Sequence, residues 1–487
     1  MSKFPDLPIY QGFNMPGRYE GEILDLEVEG DIPTDLDGAF YRVAPDPAFP
    51  PLHGTDIYFN GDGHISSFRF KNGKVDYRGR FAMTDKLKLE RGAGRALFGA
   101  YRNPLSDDPS VKGKIRGTGN TNIVGFGDKV YALKEDSPAL AMNPITLETY
   151  GYTDWDGQVT SETFTAHPKF DPETGDMCCF GYAAKGLLTR DLAYYEIGTD
   201  GKKKREAWFE LPYYCMMHDF GVTKDYAVFH VVPIIGNWER LEQGKPHFGF
   251  DTTMPIYLGI LPRGDDGKGV RWFRSDNCFA SHVMNAFNDG TKVYFDTPMS
   301  KNNMFPFFPD VHGAPFDPKA AEGHMTRWCV DMGSNTDQFE SIEQLNNMVG
   351  EFPRIDDRYN AMPYRYGWML ATDPTKPWEV PGGITGRLGN ALGFMDHATG
   401  KTDSYWAGST STFQEPAFIP RPGSTAEGDG YIVVLVNRFS EMRSDLLLLD
   451  AMRISEGPIA TVRLPLRLRG GLHGNWVPGS LIDKAAA

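Results

Sequence analysis

Four of the eleven histidines stand in apolar or small-residue segments that leave an imidazole few obvious partners. His218 closes the run LPYYCMMHDFGV, His167 lies in FTAHPKFDP, His282 in FASHVMNAF and His473 in GLHGNWVP. Neutral imidazole is the commonest protein metal ligand, whereas a single histidine in a core is ordinarily satisfied by a carbonyl. A metal reading therefore requires four distant segments to converge. Four imidazoles without a cysteine suit a borderline divalent ion, Fe(II), Zn(II), Cu(II) or Ni(II), and composition does not choose among them. A metal-bound imidazole normally gives its second ring N–H to a carboxylate or carbonyl. Glu135 beside Lys134, Glu351 in VGEFPRIDDRY and Glu415 in FQEPAFIPRPG sit in apolar or proline-bounded contexts and are candidates for that role.

The elements that would carry these residues read as antiparallel sheet. In ISSFRFKNGKVDYRGRF, over 65–81, two strand-like runs flank Asn72-Gly73, the strongest short hairpin signal. Similar turn-then-strand units recur at 127–135, 171–182, 224–232, 289–297, 396–406 and 428–451, commonly at intervals of about 45–60 residues. That period fits the blades of a β-propeller, in which the inner strands of successive blades line one channel and distant histidines can meet. Two stretches interrupt the strands. Residues 83–105, MTDKLKLERGAGRALFGAYRNPL, predict a loop or short helix over one face, and residues 302–318, rich in Phe and Pro, predict a lid or wall above a pocket. The aromatic stretch 362–374 is grouped with these excursions between blades.

Bulk properties narrow the partners. A formal charge of −14 on 487 residues argues against nucleic acid and against anionic membrane as the main partner. The start, MSKFPDLPIYQGF, lacks a basic segment followed by an apolar one, and nowhere do about eighteen apolar residues run together. A soluble, cytoplasmic protein with no membrane span is expected. Five cysteines without a CxxC pair predict reduced, buried thiols. With no linker-like composition, residues 1–487 are read as a single domain.

Taken together, GAFYRVAPDP, FNGDG, KEDSPAL, FTAHPKFDP, YYCMMHDFGVT, FASHVMNAF, EFPRID, QEPAFIPRPG, SDLLLLDA and GLHGNWVP resemble the carotenoid cleavage oxygenases over nearly the whole chain. The resemblance implies an all-β, seven-bladed β-propeller with a loop and helix cap over the active-site face. It implies one Fe(II) per chain held by His167, His218, His282 and His473, with Glu135, Glu351 and Glu415 supporting the ligands. His53 and His64 are expected at turns or on the surface.

Within that family the chain is most similar to the bacterial stilbenoid branch, in which a Phe, a Tyr and a Lys grip a phenylpropanoid ring. The matching residues are Phe59, Tyr101 and Lys134. Implied is O2-dependent scission of the central C=C of a 4-hydroxystilbene to two aromatic aldehydes, with O2 as co-substrate and Tyr101 and Lys134 acting on the phenol. A lysine ammonium and a tyrosine hydroxyl would favour the phenolate by charge-assisted hydrogen bonding. A homodimer is compatible with the resemblance. Three other readings stay open at this point: the same iron chemistry on an apocarotenoid, a zinc hydrolase, and a non-enzymatic propeller that binds partners by its rim.

Overall fold

The computed structural model describes residues 3–380 and 389–485. The described residues are mostly β, with one nine-residue α-helix, and their sheets are antiparallel meanders that follow one another in sequence. Strands Asn122–Phe126, Lys129–Leu133, Ala139–Met142 and Thr149–Thr153 form one four-stranded sheet. Lys169–Phe170, Met177–Tyr182, Asp191–Ile197 and Lys203–Glu210 form the next, and Gly221–Val222, Tyr226–Val231, Ile256–Pro262 and Arg271–Ser275 a third. An eight-stranded sheet runs from Phe279–Ala280 to Lys401–Trp406.

The two ends of the chain are stitched together. Glu27–Gly30 pairs with Pro458–Arg463 in a six-stranded sheet, and Gly38–Pro45 lies between Gly63–Lys71 and the late strand Gly474–Pro478. Hairpin chemistry matches the sequence at 65–81, where Lys71 pairs with Lys74 and Asn72 and Gly73 both take positive φ, 54° and 75°, as a tight turn between right-twisted strands needs.

Apolar runs with no polar alternation mark strands covered on both faces. In Arg443–Asp450, Leu446 and Leu448 join the core that holds Phe68 and Ile419, while Leu447 and Leu449 join the one that holds Trp368 and Phe418. Residues of Met177–Tyr182 divide in the same way, with Phe180 and Tyr182 on one side and Met177 and Cys179 on the other. Each of these sheets is thus a layer between two neighbours, and burying a leucine-sized side chain there is worth about 1.5–3 kcal/mol. All five cysteines are buried and unpaired. No helix among the described residues is long and apolar enough to cross a membrane.

Three expectations are refined. The stretch 83–105 contains the helix Asp85–Ala93, capped by the Thr84 side chain on Leu87 N–H and ended by Gly94 at φ 67°. Its Lys86 is buried between Asp62 (2.8 Å) and Glu90 (2.7 Å), which ties the helix to the loop that carries Phe59. The stretch 362–374 is no excursion, because Tyr366–Thr372 is an interior strand with Trp368 fully buried. His64 is not at the surface: it is buried within Gly63–Lys71 and bonds the Tyr19 carbonyl at 2.6 Å, whereas His53 is exposed as expected.

The Phe59 loop is held from below by Asn120, whose amide donates to the carbonyls of Phe59 and Gly61, both at 2.7 Å. This approach demands a glycine at 63, since a Cβ there would lie 2.2 Å from the Gly119 carbonyl oxygen and 2.7 Å from that of Thr118. Both are backbone atoms that cannot swing aside. Gly63→Ala is expected to cost about 1–3 kcal/mol through forced backbone displacement, read as a lowered thermal unfolding midpoint. A midpoint equal to that of the unaltered chain would show that the loop yields freely.

Candidate metal centre

Each of the four histidines lies just upstream of a strand that opens or joins a sheet: His167 before Lys169–Phe170, His218 before Gly221–Val222, His282 before Asn285–Asp289 and His473 before Gly474–Pro478. The folded chain brings the four rings together. Their ligand atoms all lie within 4.8 Å of one another. The Nε2 atoms of His167 and His218 are 3.2 Å apart, those of His218 and His282 2.9 Å, and those of His282 and His473 3.2 Å.

The other ring nitrogen decides what the inward atoms are. His218 Nδ1 donates to Glu135 Oε1 in a short contact, His282 Nδ1 to Glu351 Oε2 at 2.5 Å, and His473 Nδ1 to Glu415 Oε1 at 3.0 Å. A ring that donates from Nδ1 and stays neutral presents a bare lone pair at Nε2. Lone pairs at about 3 Å repel unless a cation or proton stands between them, and four such atoms pointing to one spot fit a soft-to-borderline metal cation. Burial pushes His167 well below its ordinary value, and the three neighbouring imidazoles push the same way; burial also lowers His473, whereas at His282 the Glu351 carboxylate outweighs burial and raises it. Burial works against ionisation of Glu135, yet His218, Lys134 and Arg102 outweigh it and hold that carboxyl at about 2. Glu415 is likewise lowered against the penalty of burial, by His473 and Arg354.

One side of the cluster opens on an apolar cavity walled by Phe59, Tyr101, Lys134, Met216, Met304, Phe305, Phe352 and Leu472. Side chains close it to about 30 Å³ of free space. Met304 and Phe305 stand on this wall. These belong to the Phe- and Pro-rich stretch 302–318, which forms a wall as its composition predicts; Phe305 and Phe307 pack edge-on against Phe59 at 5.5 and 5.0 Å. Lys134 is buried with its ammonium 4.8 Å from the centre of the Tyr101 ring. Burial draws the Lys134 pKa down, and Asp136 and Glu135 resist. Burial also drives the Tyr101 hydroxyl far up, so it stays protonated and able to donate. The opposite side of the cluster meets a polar chamber of about 200 Å³, lined among others by Asn122, Lys169, Asp219, Arg354 and Asn475.

Every residue singled out from the sequence for this site is in it: four histidines at the centre, three glutamates on their outer nitrogens, and Phe59, Tyr101 and Lys134 on the cavity wall. Sequence reasoning missed Phe352. It follows Glu351 at a register break in the strand Ser341–Arg354, takes φ 55°, and stacks on His282 at 4.9 Å. A non-glycine residue in that conformation is strained, and the bulge re-aims the ring over the cluster. Nothing in EFPRID announces a positive φ. Arg102 and Tyr182 were also missed; a charged residue directly after Tyr101 was the only signal.

The chain matches the family model described as retinal pigment epithelial membrane protein over residues 14–478. The lignostilbene-alpha,beta-dioxygenase isozyme III of Sphingomonas paucimobilis is 56% identical over 490 residues, covering 100% of both chains. The isoeugenol monooxygenase of Pseudomonas nitroreducens is 43% identical, across 97% of this chain and 98% of that one. The crystal structure of Pseudomonas brassicacearum lignostilbene dioxygenase superposes with a TM-score of 0.94 at 42% identity, covering 98% of this chain and 100% of the other. With its strand order, its histidine cluster and this likeness from end to end, the chain belongs to the retinal pigment epithelial membrane protein family, that is, the carotenoid oxygenases.

Proposed function

We propose that the protein is an iron(II)-dependent dioxygenase that splits the central C=C bond of a 4-hydroxystilbene, consuming O2 and giving two aromatic aldehydes. One observation carries this reading: four converging imidazoles open directly on an apolar cavity in which Lys134 and Tyr101 form a buried cationic and hydrogen-bonding end. The relatives named for lignostilbene and isoeugenol point to phenylpropanoid substrates. An iron(II) ion held by His167, His218, His282 and His473 would supply the redox chemistry through which O2 and the electron-rich alkene react. Both oxygen atoms leave in the two carbonyls, so the overall reaction balances without an added reductant.

The residues of the chain do the rest. Phe59, Phe305 and Leu472 exclude water and hold the aromatic plane. Tyr101 donates to the substrate's phenol oxygen, and the Lys134 ammonium favours its phenolate form, which pushes electron density along the conjugated system into the central double bond. Among the described residues Lys134 makes no ion pair, which leaves its charge for the ligand. A hydrocarbon polyene would have no use for that charge. Glu135, Glu351 and Glu415 keep three imidazoles turned inward.

The same reading includes a seven-bladed propeller as one domain. Its support is the succession of antiparallel meanders, the cores on both faces of Met177–Tyr182 and Arg443–Asp450, and the joining of the chain's ends. Unpaired buried cysteines suit a reducing compartment, and the cytoplasm is the proposed place of action.

Replacing any one of His167, His218, His282 or His473 by alanine should leave a folded protein with little bound iron, because the blades do not depend on a coordination position. Glu→Gln at 135, 351 or 415 should weaken metal retention less, by about 10–100-fold. Metal analysis after desalting checks both; a histidine variant with full iron content would remove that residue from the ligand set.

Lys134→Met should keep iron but lose about 10–100-fold in turnover of a 4-hydroxystilbene, since a charge-assisted hydrogen bond in a dry site is worth about 1.5–3 kcal/mol. Methylating the substrate's 4-hydroxyl should imitate that loss in the unaltered enzyme and cost little more in the variant, because both changes delete one interaction. Equal rates on 4-hydroxy and 4-methoxy substrates by the unaltered enzyme would rule out phenol activation and favour an apocarotenoid substrate.

A further inference from the structure

Arg102 and Tyr182 do not line the cavity, though Arg102 bonds the side chain of Tyr101, and both are committed to Glu135. The Tyr182 hydroxyl donates to Glu135 Oε2 at 2.9 Å, and Arg102 Nη1 donates to the Tyr182 hydroxyl in a short contact while lying 3.7 Å from the same carboxylate oxygen. Glu135 Oε1, in turn, holds His218 Nδ1. All three residues are buried, Arg102 at 3%, Tyr182 at 1% and Glu135 at 2% exposure, so none of this is surface charge.

The backbone positions make the arrangement informative. Arg102 follows Tyr101 and Glu135 follows Lys134, so the two residues on the phenol side of the cavity are each chained to one member of the network behind it. Arg102 is fixed from three directions: its guanidinium lies over the rings of Tyr182 (5.2 Å) and Phe248 (5.3 Å), its carbonyl accepts from His247 Nδ1 at 3.0 Å, and its φ of 53° sets it apart from a relaxed loop residue. Its Nε is buried without a partner. A guanidinium buried without full pairing is costly and would be better replaced by an apolar residue if packing were its only duty. A parallel exists across the cluster, where Arg354 stands 3.7 Å from Glu415, the carboxylate that holds His473.

We propose that Arg102 and Tyr182 are positioning residues that lock Glu135, and through it the His218 ring, to the segment carrying Tyr101, so that one metal ligand and the phenol-binding pair are held in a single register. The substrate half of this rests on the proposed function of Tyr101 and Lys134; the metal half does not. Sub-ångström misplacement between a bound substrate and the reacting centre is enough to cost large factors in rate, and residues that orient a ligand by its outer nitrogen typically matter by about 10–100-fold.

The test uses the full chain loaded with cobalt(II), without stilbene or O2, so that coordination is read apart from turnover. Tyr182→Phe keeps the ring and its packing and removes only the hydroxyl. It should leave the thermal midpoint nearly unchanged, alter the visible cobalt spectrum and speed cobalt loss to a chelator by about 10-fold or more. Arg102→Met should act in the same direction, and Arg102→Lys, which restores a cation, should recover part of the retention; if Arg102→Met does not fold, Tyr182→Phe decides alone. In the iron enzyme Tyr182→Phe should lower kcat for a 4-hydroxystilbene with KM within about 3-fold of the unaltered value, since it leaves the cavity wall in place. A cobalt spectrum and release rate in Tyr182→Phe indistinguishable from the unaltered chain would overturn the proposal. Failure of the phenol reading would be visible separately, as Lys134→Met with undiminished turnover alongside a perturbed cobalt site in Tyr182→Phe.

Discussion

The arrangement of this protein depends on the mutual repulsion of four inward-facing imidazole nitrogens. Nε2 atoms about 3 Å apart repel one another wherever both carry an unshared pair. They are kept there because three of the rings cannot turn: Glu135, Glu351 and Glu415 each take the opposite N–H. The folded chain thereby prepays the ordering of a cation site, and the strands that start just after each histidine hold that arrangement by sheet packing many residues deep.

The centre has two unlike faces. On one, aromatic and aliphatic side chains surround a small apolar cavity in which Lys134 is the only lysine or arginine among the described residues. On the other, amides and ion pairs such as Lys169 with Asp219 (2.8 Å) line a wetter chamber. The difference in polarity matters, because a charge in the dry cavity acts over several ångströms on whatever lies beside it, whereas the same charge in the chamber would be screened. Lys134 reaches the dry side as the residue immediately before the glutamate that holds His218, so a single turn after Lys129–Leu133 supplies both the cavity wall and a partner of the histidine cluster.

Of the twelve non-glycine residues with positive φ among the described residues, two stand at the metal centre. Phe352 and Arg102 both adopt positive φ without being glycine, one directly over His282 and one behind Glu135. Such residues cost about 1–3 kcal/mol each and persist only when their surroundings over-determine them. Here a strand bulge fixes the first, and two aromatic rings with the His247 hydrogen bond fix the second.

Much of this was legible from residue types. Asn-Gly and Asp-Gly turns before β-branched runs announced the hairpins, unalternating apolar stretches such as Leu446–Leu449 announced strands covered on both faces, and histidines in apolar runs announced a buried cluster. The glutamates could be proposed because a ligating imidazole needs an acceptor on its far side. What the chain order could not state is which groups meet: that Arg102 and Tyr182 converge on Glu135, that Phe352 is turned over His282 by a register break, that His64 is buried against Tyr19 and that Tyr366–Thr372 is interior strand. Local composition determines what each segment can form and which side chains must find partners. The choice of partner across about 50 or more residues is made by sheet register and layer packing, where a shift of one residue reverses every side chain, and that information resides only in the assembled fold.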